Sequence, residues 1–307
     1  MIINLTRQIK LIRPQGRASF PYSNSLYVDD DSRLVIDAGA GQAFGEIPEA
    51  EVDLLFLSHY HFDHTHGTSR FKRAGIMAGI QEAPGYEDVA AYIEYSGFSH
   101  WKELMVQPKN QPFIKTAGYP EDVLEKPGFR EIKLSGTFQD RDSFTLGSTT
   151  VQALHTPGHT HGHYSFWFEK AGILFASDLD LSPGGPWYGE EYSNVEDLVS
   201  SVNRLIEIDP LIMLTSHRRV FKQPDDNIKQ LLKEYLGVTL GREEAILHSL
   251  QEPRTIDDIE ELGLVFEPLP RTQHIEFWNK MMIVKHLNRL HRMGLIEKTD
   301  TGAYIRR

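Results

Sequence analysis

The chain has 307 residues and a mass of 35.1 kDa, enough to bury a large core in one domain or two of unequal size. Its 32 Lys and Arg against 43 Asp and Glu leave a formal net charge of −11, which argues against a chain that is basic throughout and coats nucleic acid or anionic membrane. With no cysteine, disulfides and thiolate ligands are excluded, so His, Asp, Glu and water remain for any metal.

The opening stretch "MIINLTRQIKLIRPQG" holds no uninterrupted apolar segment of signal-peptide length, and no later run approaches membrane-spanning length. A cytoplasmic protein without membrane contact is expected. "SLYVDDDSRLVIDAG" places two apolar runs around an Asp-rich turn and predicts a hairpin ending at Gly39. "EVDLLFLSH" follows as a buried strand. Residues 84–127 change character, with helix-like spacing, several aromatics and Pro108, Pro112, Pro120 and Pro127, and are read as a partly helical insertion. "FTLGSTTVQALH" and "HYSFWFEKAGILFASD" return to strands, and "VEDLVSSVNRLIEI" is an amphipathic helix leading into the strand "LIMLTSH". Residues 1–235 form one expected domain and residues 242–307 a second, smaller one.

The stretch "LSHYHFDHTHG", residues 57–67, places four histidines and an aspartate in eleven positions of a chain with 14 histidines in all. Closely spaced imidazoles repel when protonated and lose solvation unless something binds them. Outside this cluster, His155 follows "TTVQAL", Asp178 follows "GILFAS" and His217 follows "LIMLTS". Together with His59 after "VDLLFL", four predicted strands end in a metal-binding residue type, as a site at one edge of a sheet requires. Any one of them alone reads more simply as a turn or core histidine.

These residues carry a family resemblance. "HYHFDH" matches the His-x-His-x-Asp-His signature of the metallo-β-lactamase superfamily, and "HTPGHT", "SDLD" and "TSH" resemble its later metal-binding elements, over roughly residues 20–222. The resemblance implies an α/β fold, a four-layer αβ/βα sandwich with metals at the edge between two sheets. It implies one metal on His59, His61 and His155, a second on Asp63, His64 and His217, and Asp178 bridging both. Two divalent ions, zinc first with manganese or iron also suited to mixed His and carboxylate ligands, lower the pKa of a shared water and stabilise charge on the attacked centre. Asp63 gains a catalytic part, orienting the nucleophile and passing a proton. An oxygen-reducing di-iron role is disfavoured, since that branch carries Glu where this chain has His61.

Other residues have two readings each. Tyr188 in "GGPWYGE" is a candidate donor to a developing oxyanion, as in some lactone-cleaving relatives, or a packing aromatic. His159 is a candidate orienting partner of a ligand, and His66, His161 and His163 are that or turn residues. Arg218 and Arg219 bind an anionic substrate group or are surface charges. Tyr92, Tyr95, Phe98 and Trp101 form a lid over an apolar substrate or pack a helix.

The C-terminal segment reads as helix, short helix, long helix and hairpin, an order that resembles a winged-helix domain appended to some members of the superfamily, including endoribonucleases. Residues 277–307 hold seven Lys or Arg against Glu297 and Asp300, giving +5, while the remainder is −16. That excess suits a phosphate backbone, whereas the apolar spacing of Met281, Val284, Leu287 and Leu290 marks a buried face. A packing, lid or dimerisation module, the last giving a homodimer, is the favoured reading. The functional expectation is a metal-dependent hydrolase of a small ester, thioester or lactone. A phosphodiesterase or endoribonuclease whose C-terminal domain binds nucleic acid is the alternative, and a binding module with a structural metal site is the third.

Overall fold

The computed structural model describes residues 1–105, 119–123, 125–265 and 272–307. Two mixed sheets face each other. The first runs in chain order through β1 (Ile2–Asn4), β2 (Ile9–Ile12), β3 (Ser25–Val28), β4 (Leu34–Ile36), β5 (Leu54–Leu57), β6 (Gly75–Gly79) and β7 (Gly136–Phe138). The second contains β8 (Ser143–Thr145), β9 (Thr150–His155), β10 (Tyr164–Phe168), β11 (Ile173–Phe175), β12 (Ile212–Leu214) and β13 (Phe221–Lys222), again with sequential neighbours paired. The expected hairpin is β3 and β4, paired antiparallel with Leu26 opposite Ile36. From β4 to β7 the pairing is parallel, and β4 and β5 read as continuous apolar runs because both of their faces are covered.

Between the sheets lies an aromatic layer in which the Phe56 ring packs at 4.7 Å from Phe144 and 5.3 Å from Phe138. In the turn after β5 lies α1 (Phe62–Thr65), and outside the first sheet sit α2 (Ala83–Glu87) and α3 (Val89–Tyr95), with α4 (Trp101–Leu104) following α3; a core of Tyr27, Val35, Leu55 and Phe44 with Tyr86 and Tyr95 fills that face. Outside the second sheet lies α5 (Val195–Ile208), whose buried Val195, Leu198, Val202 and Leu205 follow helical spacing. Asn194 caps its N-terminus, accepting from the Asp197 amide at 2.7 Å. The expected sandwich order of helix, sheet, sheet and helix is therefore present. Of the prolines that marked the insertion, Pro108 and Pro112 lie outside the described residues.

The C-terminal segment contains α6 (Ile228–Ser249), α7 (Ile256–Glu261), α8 (Gln273–Arg292) and a hairpin of β14 (Ile296–Lys298) and β15 (Tyr304–Arg306). The helix α6 runs unbroken through residues 235–242, where two domains were expected to part. Ile246, Ile259, Met282, Ile283, Leu287 and Leu290 share one core with Leu174 and Met213 of the second sheet and with α5. The segment is thus part of the outer helical layer. The helix α8 also meets the insertion, with Phe277 stacked on Trp101 at 5.0 Å. No described helix is long and apolar enough to cross a membrane.

Candidate metal centre

Four strands, β5 of the first sheet and β9, β11 and β12 of the second, deliver the site to one edge of the sandwich. After β5 the chain turns through Ser58 and places His59, then His61 at the N-terminus of α1, and Asp63 and His64 within it. The turn after β9 brings in His159, the turn after β11 brings in Asp178, and the turn after β12 brings in His217. Their polar atoms form two groups, one of His59, His61, His159 and Asp178 and one of Asp63, His64 and His217, each with ligand-type atoms within 4.8 Å of one another. Asp178 lies between them. Its Oδ1 is 3.2 Å from His64 Nε2 and 3.3 Å from His217 Nε2, while its Oδ2 is 3.4 Å from His159 Nε2 and 3.9 Å from His59 Nε2.

The outer nitrogens of these imidazoles determine what the inner ones offer. His64 Nδ1 donates to Asp37 Oδ2 at 2.8 Å, His61 Nε2 to Glu190 Oε1 at 2.8 Å, His159 Nδ1 to the Trp187 carbonyl at 2.9 Å and His217 Nδ1 to the Ala18 carbonyl at 3.3 Å. Each partner only accepts, so the proton sits on the outer nitrogen and the inner nitrogen of the neutral ring presents a lone pair. The inner nitrogens of His61 and His159 converge with that of His59, His61 Nδ1 lying 3.0 Å from His59 Nε2 and 3.2 Å from His159 Nε2. His64 Nε2 and Asp178 Oδ1 are buried without a hydrogen-bond partner.

The carboxylates draw a positive charge, a proton or a cation, to those inner nitrogens. Burial opposes a charge on His64, but Asp178, Asp37 and Asp63 overcome it and push its pKa up to about 10. Burial likewise opposes a charge on His217, and the Asp178 and Asp63 carboxylates raise it well above its ordinary value. Burial would raise Asp178, yet His217 and His64 hold it well below the usual carboxylate range. His159, by contrast, is pushed down to about 4 by burial. A ring of lone pairs and carboxylates that draws positive charge to its centre fits divalent cations, and the donor set is the mixed imidazole and carboxylate kind that zinc, iron and manganese accept.

Two expected site residues stand elsewhere. His155 is not in either group, because as the last residue of β9 it is still paired in the sheet. It remains paired with Tyr164 in the sheet, its amide donates to Asp140 at 2.8 Å, and its Nε2 donates to the His161 carbonyl at 2.8 Å. The chain needs the turn at residues 156–158 to reach the site, and His159 takes the place assigned to His155. Tyr188 is fully buried against the C-terminal helices, its hydroxyl 2.8 Å from His286 Nε2 and 3.2 Å from Arg242 Nη1, so it is not an oxyanion donor facing the metal groups.

The remaining candidates divide. His163 accepts from the Asp178 amide at 3.1 Å and so helps fix that residue. His161 bonds the Gln81 carbonyl at 2.9 Å, and His66 packs beside Tyr22 and Phe62. Arg219 is taken up by a two-pronged pair with Asp226 at 2.5 and 2.8 Å and lies over Phe221. Tyr92 and Tyr95 edge onto Tyr60 beside His61, whereas Phe98 and Trp101 pack on α8. Among the residues not anticipated is Asp37, fully buried, which accepts from the Ser58 amide and hydroxyl at 2.8 Å each as well as from His64. Its place at the end of an apolar strand is the signal that would have found it. Glu190 has no such signal. Glu82, accepting from the Tyr60 and Gly162 amides and pushed up to about 7 by burial, ties the His59–His61 turn to the His159 turn from behind.

A paired His and Asp centre at the edge of an αβ/βα sandwich defines a class of metal-binding fold. The sequence pattern of the metallo-beta-lactamase superfamily matches residues 19–217, and the chain belongs to that superfamily. It is similar to a hydroxyacylglutathione hydrolase of Bartonella henselae, 32% identical over 59% of this chain and 48% of that one. It is also similar to an acyl-coenzyme A thioesterase of Gallus gallus, 25% identical over 57% of this chain and 63% of that one. The chain thus spans about half to two thirds of these two relatives. The crystal structure of a metallo-beta-lactamase family protein from Thermus thermophilus superposes with a TM-score of 0.76 at 20% identity, covering 99% of this chain and 100% of that one.

Proposed function

We propose that the protein is a metal-dependent hydrolase of a small ester, thioester or lactone, with the thioester first because relatives named as a thioesterase and a hydroxyacylglutathione hydrolase are similar to it. The observation that carries this reading is the set of four imidazoles, His61, His64, His159 and His217, whose outer nitrogens are held by acceptors, so that their inner nitrogens gather in two groups with Asp178 between them. Zinc is the first candidate, held by His59, His61 and His159 at one position and by Asp63, His64 and His217 at the other, with Asp178 between. When bound, two such cations supply Lewis acidity to the attacked group and acidify a water.

The chain's own residues do the rest. Asp63 keeps only a small part of its side chain exposed and its Oδ2 lies 3.3 Å from His217 Nε2, a place from which a carboxylate can hold and pass a proton. Trp187 lies against His61 and His159 at 5.6 and 5.5 Å and presents an apolar wall beside the histidines that excludes water.

The test is metal analysis by plasma mass spectrometry on the wild type and on His159→Ala and His155→Ala, followed by hydrolysis assays on thioesters, esters, lactones and RNA. Metal loss in His159→Ala but not in His155→Ala, with turnover of a small acyl substrate that tracks the metal, is the expected result. A wild type that takes up no zinc, manganese or iron would refute the reading, and cleavage confined to RNA would replace its substrate class.

A further inference from the structure

The loop spanning residues 184–193, between the Asp178 turn and α5, is in contact with two parts of the molecule at once. On its inner side it meets the candidate metal ligands. The Glu190 carboxylate accepts from His61 Nε2 at 2.8 Å, the Trp187 carbonyl accepts from His159 Nδ1 at 2.9 Å, and the Ser193 hydroxyl donates to the His159 carbonyl at 2.6 Å. On its outer side the C-terminal helices hold it. Arg242 of α6 donates to the Pro186 carbonyl at 2.8 Å, to the Gly184 carbonyl, and to the Tyr188 hydroxyl at 3.2 Å. From α8, His286 Nε2 bonds the same hydroxyl at 2.8 Å and Lys285 Nζ donates to the Glu191 carbonyl at 2.5 Å.

Two features give this arrangement meaning beyond packing. First, Arg242 is a buried guanidinium whose hydrogen bonds go to neutral oxygens of one loop. Burying that charge is costly, and what it fixes is the path of the loop backbone. Second, the support is one-sided. The loop reaches His61 and His159, whereas the outer nitrogens of His64 and His217 rest on Asp37 and Ala18, which lie on the first-sheet side of the molecule.

We propose that this loop is the positioning element of one metal position, that of His59, His61 and His159, and that the C-terminal helices set the affinity of that position through Arg242 and His286. The inference rests on the metal reading above. Glu190 holds the proton of His61 on Nε2, which turns the Nδ1 lone pair inward and makes it a stronger donor, and the Trp187 carbonyl does the same for His159 Nε2. The C-terminal segment then serves the reaction without touching substrate. Glu190 is a positioning residue, acting through His61.

The test uses the full chain, freed of metal with a chelator and titrated with zinc against a chromophoric competitor, with a cobalt titration followed by its visible absorption. Glu190→Ala is expected to weaken one of the two affinities about 10–100-fold while the other stays within about threefold. Glu190→Gln, whose amide oxygen can still accept from His61, should recover most of that loss. Arg242→Met should shift the cobalt spectrum and weaken the same position. Equal weakening of both positions, or no recovery by glutamine, would mean general damage and overturn the proposal. Wild-type affinities in all three variants would overturn it alone, whereas a wild type that binds neither ion would overturn the metal reading and this inference together.

Discussion

Replacing Gly158 by alanine tests whether the turn that delivers His159 is as tightly determined as its surroundings indicate. Gly158 has φ of +128°, a region that residues with a Cβ rarely adopt, and its amide bonds the Thr160 carbonyl at 3.0 Å. An added Cβ would lie 2.5 Å from both the nitrogen and the Cα of Leu198 in α5. Cβ contacts essentially stop at 3.0 Å, so something must move by at least 0.5 Å, the difference between those two figures. The atoms met are backbone in the first turns of a buried helix, with no flexible end to yield. The backbone strain costs on the order of 1–3 kcal/mol and the overpacking about the same again, so a total of roughly 2–6 kcal/mol is expected, a large part of a typical stability of about 5–15 kcal/mol. Urea unfolding monitored by circular dichroism measures it. Gly45→Ala, where a Cβ would meet nothing within 4 Å, is the control. Below the unfolding transition, metal at the His159 position should fall first. A Gly158→Ala protein with the wild-type midpoint and full metal content would refute both the steric argument and the assignment of His159.

Tyr188→Phe should lower stability by about 1–3 kcal/mol, because it leaves His286 and the buried Arg242 short of a partner, while turnover at saturating metal falls less than tenfold. Loss of an oxyanion donor costs about 10²–10³-fold, so a drop of that size with unchanged stability would return Tyr188 to the reacting atoms. Asp226 predicts a pH dependence. The Arg219 guanidinium, with the Lys222 amide, holds its carboxyl down at about 2, below its ordinary value. A depressed carboxylate stabilises the fold above its unfolded pKa, so this contribution is full above about pH 4 and is lost as pH falls through 2. After discounting for solvent screening it amounts to about 1 kcal/mol, and Asp226→Asn should flatten the difference in unfolding free energy over that window. Truncation after Thr239 removes Ile246, Ile259, Met282, Ile283, Leu287 and Leu290 from the shared core. At about 1.5–3 kcal/mol each these exceed any reserve, so the shortened chain should show no cooperative thermal transition, and a sharp one would mean that the C-terminal segment is a separable domain.

Much of the frame was legible in the sequence because the elements that build it carry local signals. The hairpin of β3 and β4 is visible in its Asp-rich turn, and α5 in an apolar stripe with a capping asparagine. The cluster of His and Asp was legible where one turn supplies several of its members, since His59, His61, Asp63 and His64 are spaced by the geometry of that turn alone. The failure at His155 has a definite cause. "HTPGHT" offers two histidines four residues apart, and which one reaches the edge depends on where pairing with β10 stops, a long-range fact with no local mark. Asp37 was visible in principle, as a polar residue at the end of an apolar strand. Glu190 was not, because its loop owes its path to Arg242, 52 positions further along the chain.

The same distinction explains the C-terminal charge. Counting along residues 277–307 finds a basic excess, yet the partners of Lys280, Lys285, Arg289 and Arg292 lie outside that window, while Arg307 pairs within it. Lys280 faces Asp257, Glu276 and the Leu104 carbonyl; Arg289 pairs with Glu243 and Glu196; Arg292 shares Glu196; and Arg307 pairs with Glu297. Lys285, held on the Glu191 carbonyl, is pushed down to about 8 by burial. A window of sequence sums charge along the chain, whereas a helix packed on the outer layer meets acids contributed by α5, α6 and α7 and a carbonyl of the loop before α5. For α8 the cations are therefore part of its attachment to the fold. The face that the apolar spacing marked is indeed buried, and the polar residues beside it reach inward to the loop that carries Glu190 and Trp187, which puts the long C-terminal helix behind the histidines of the site.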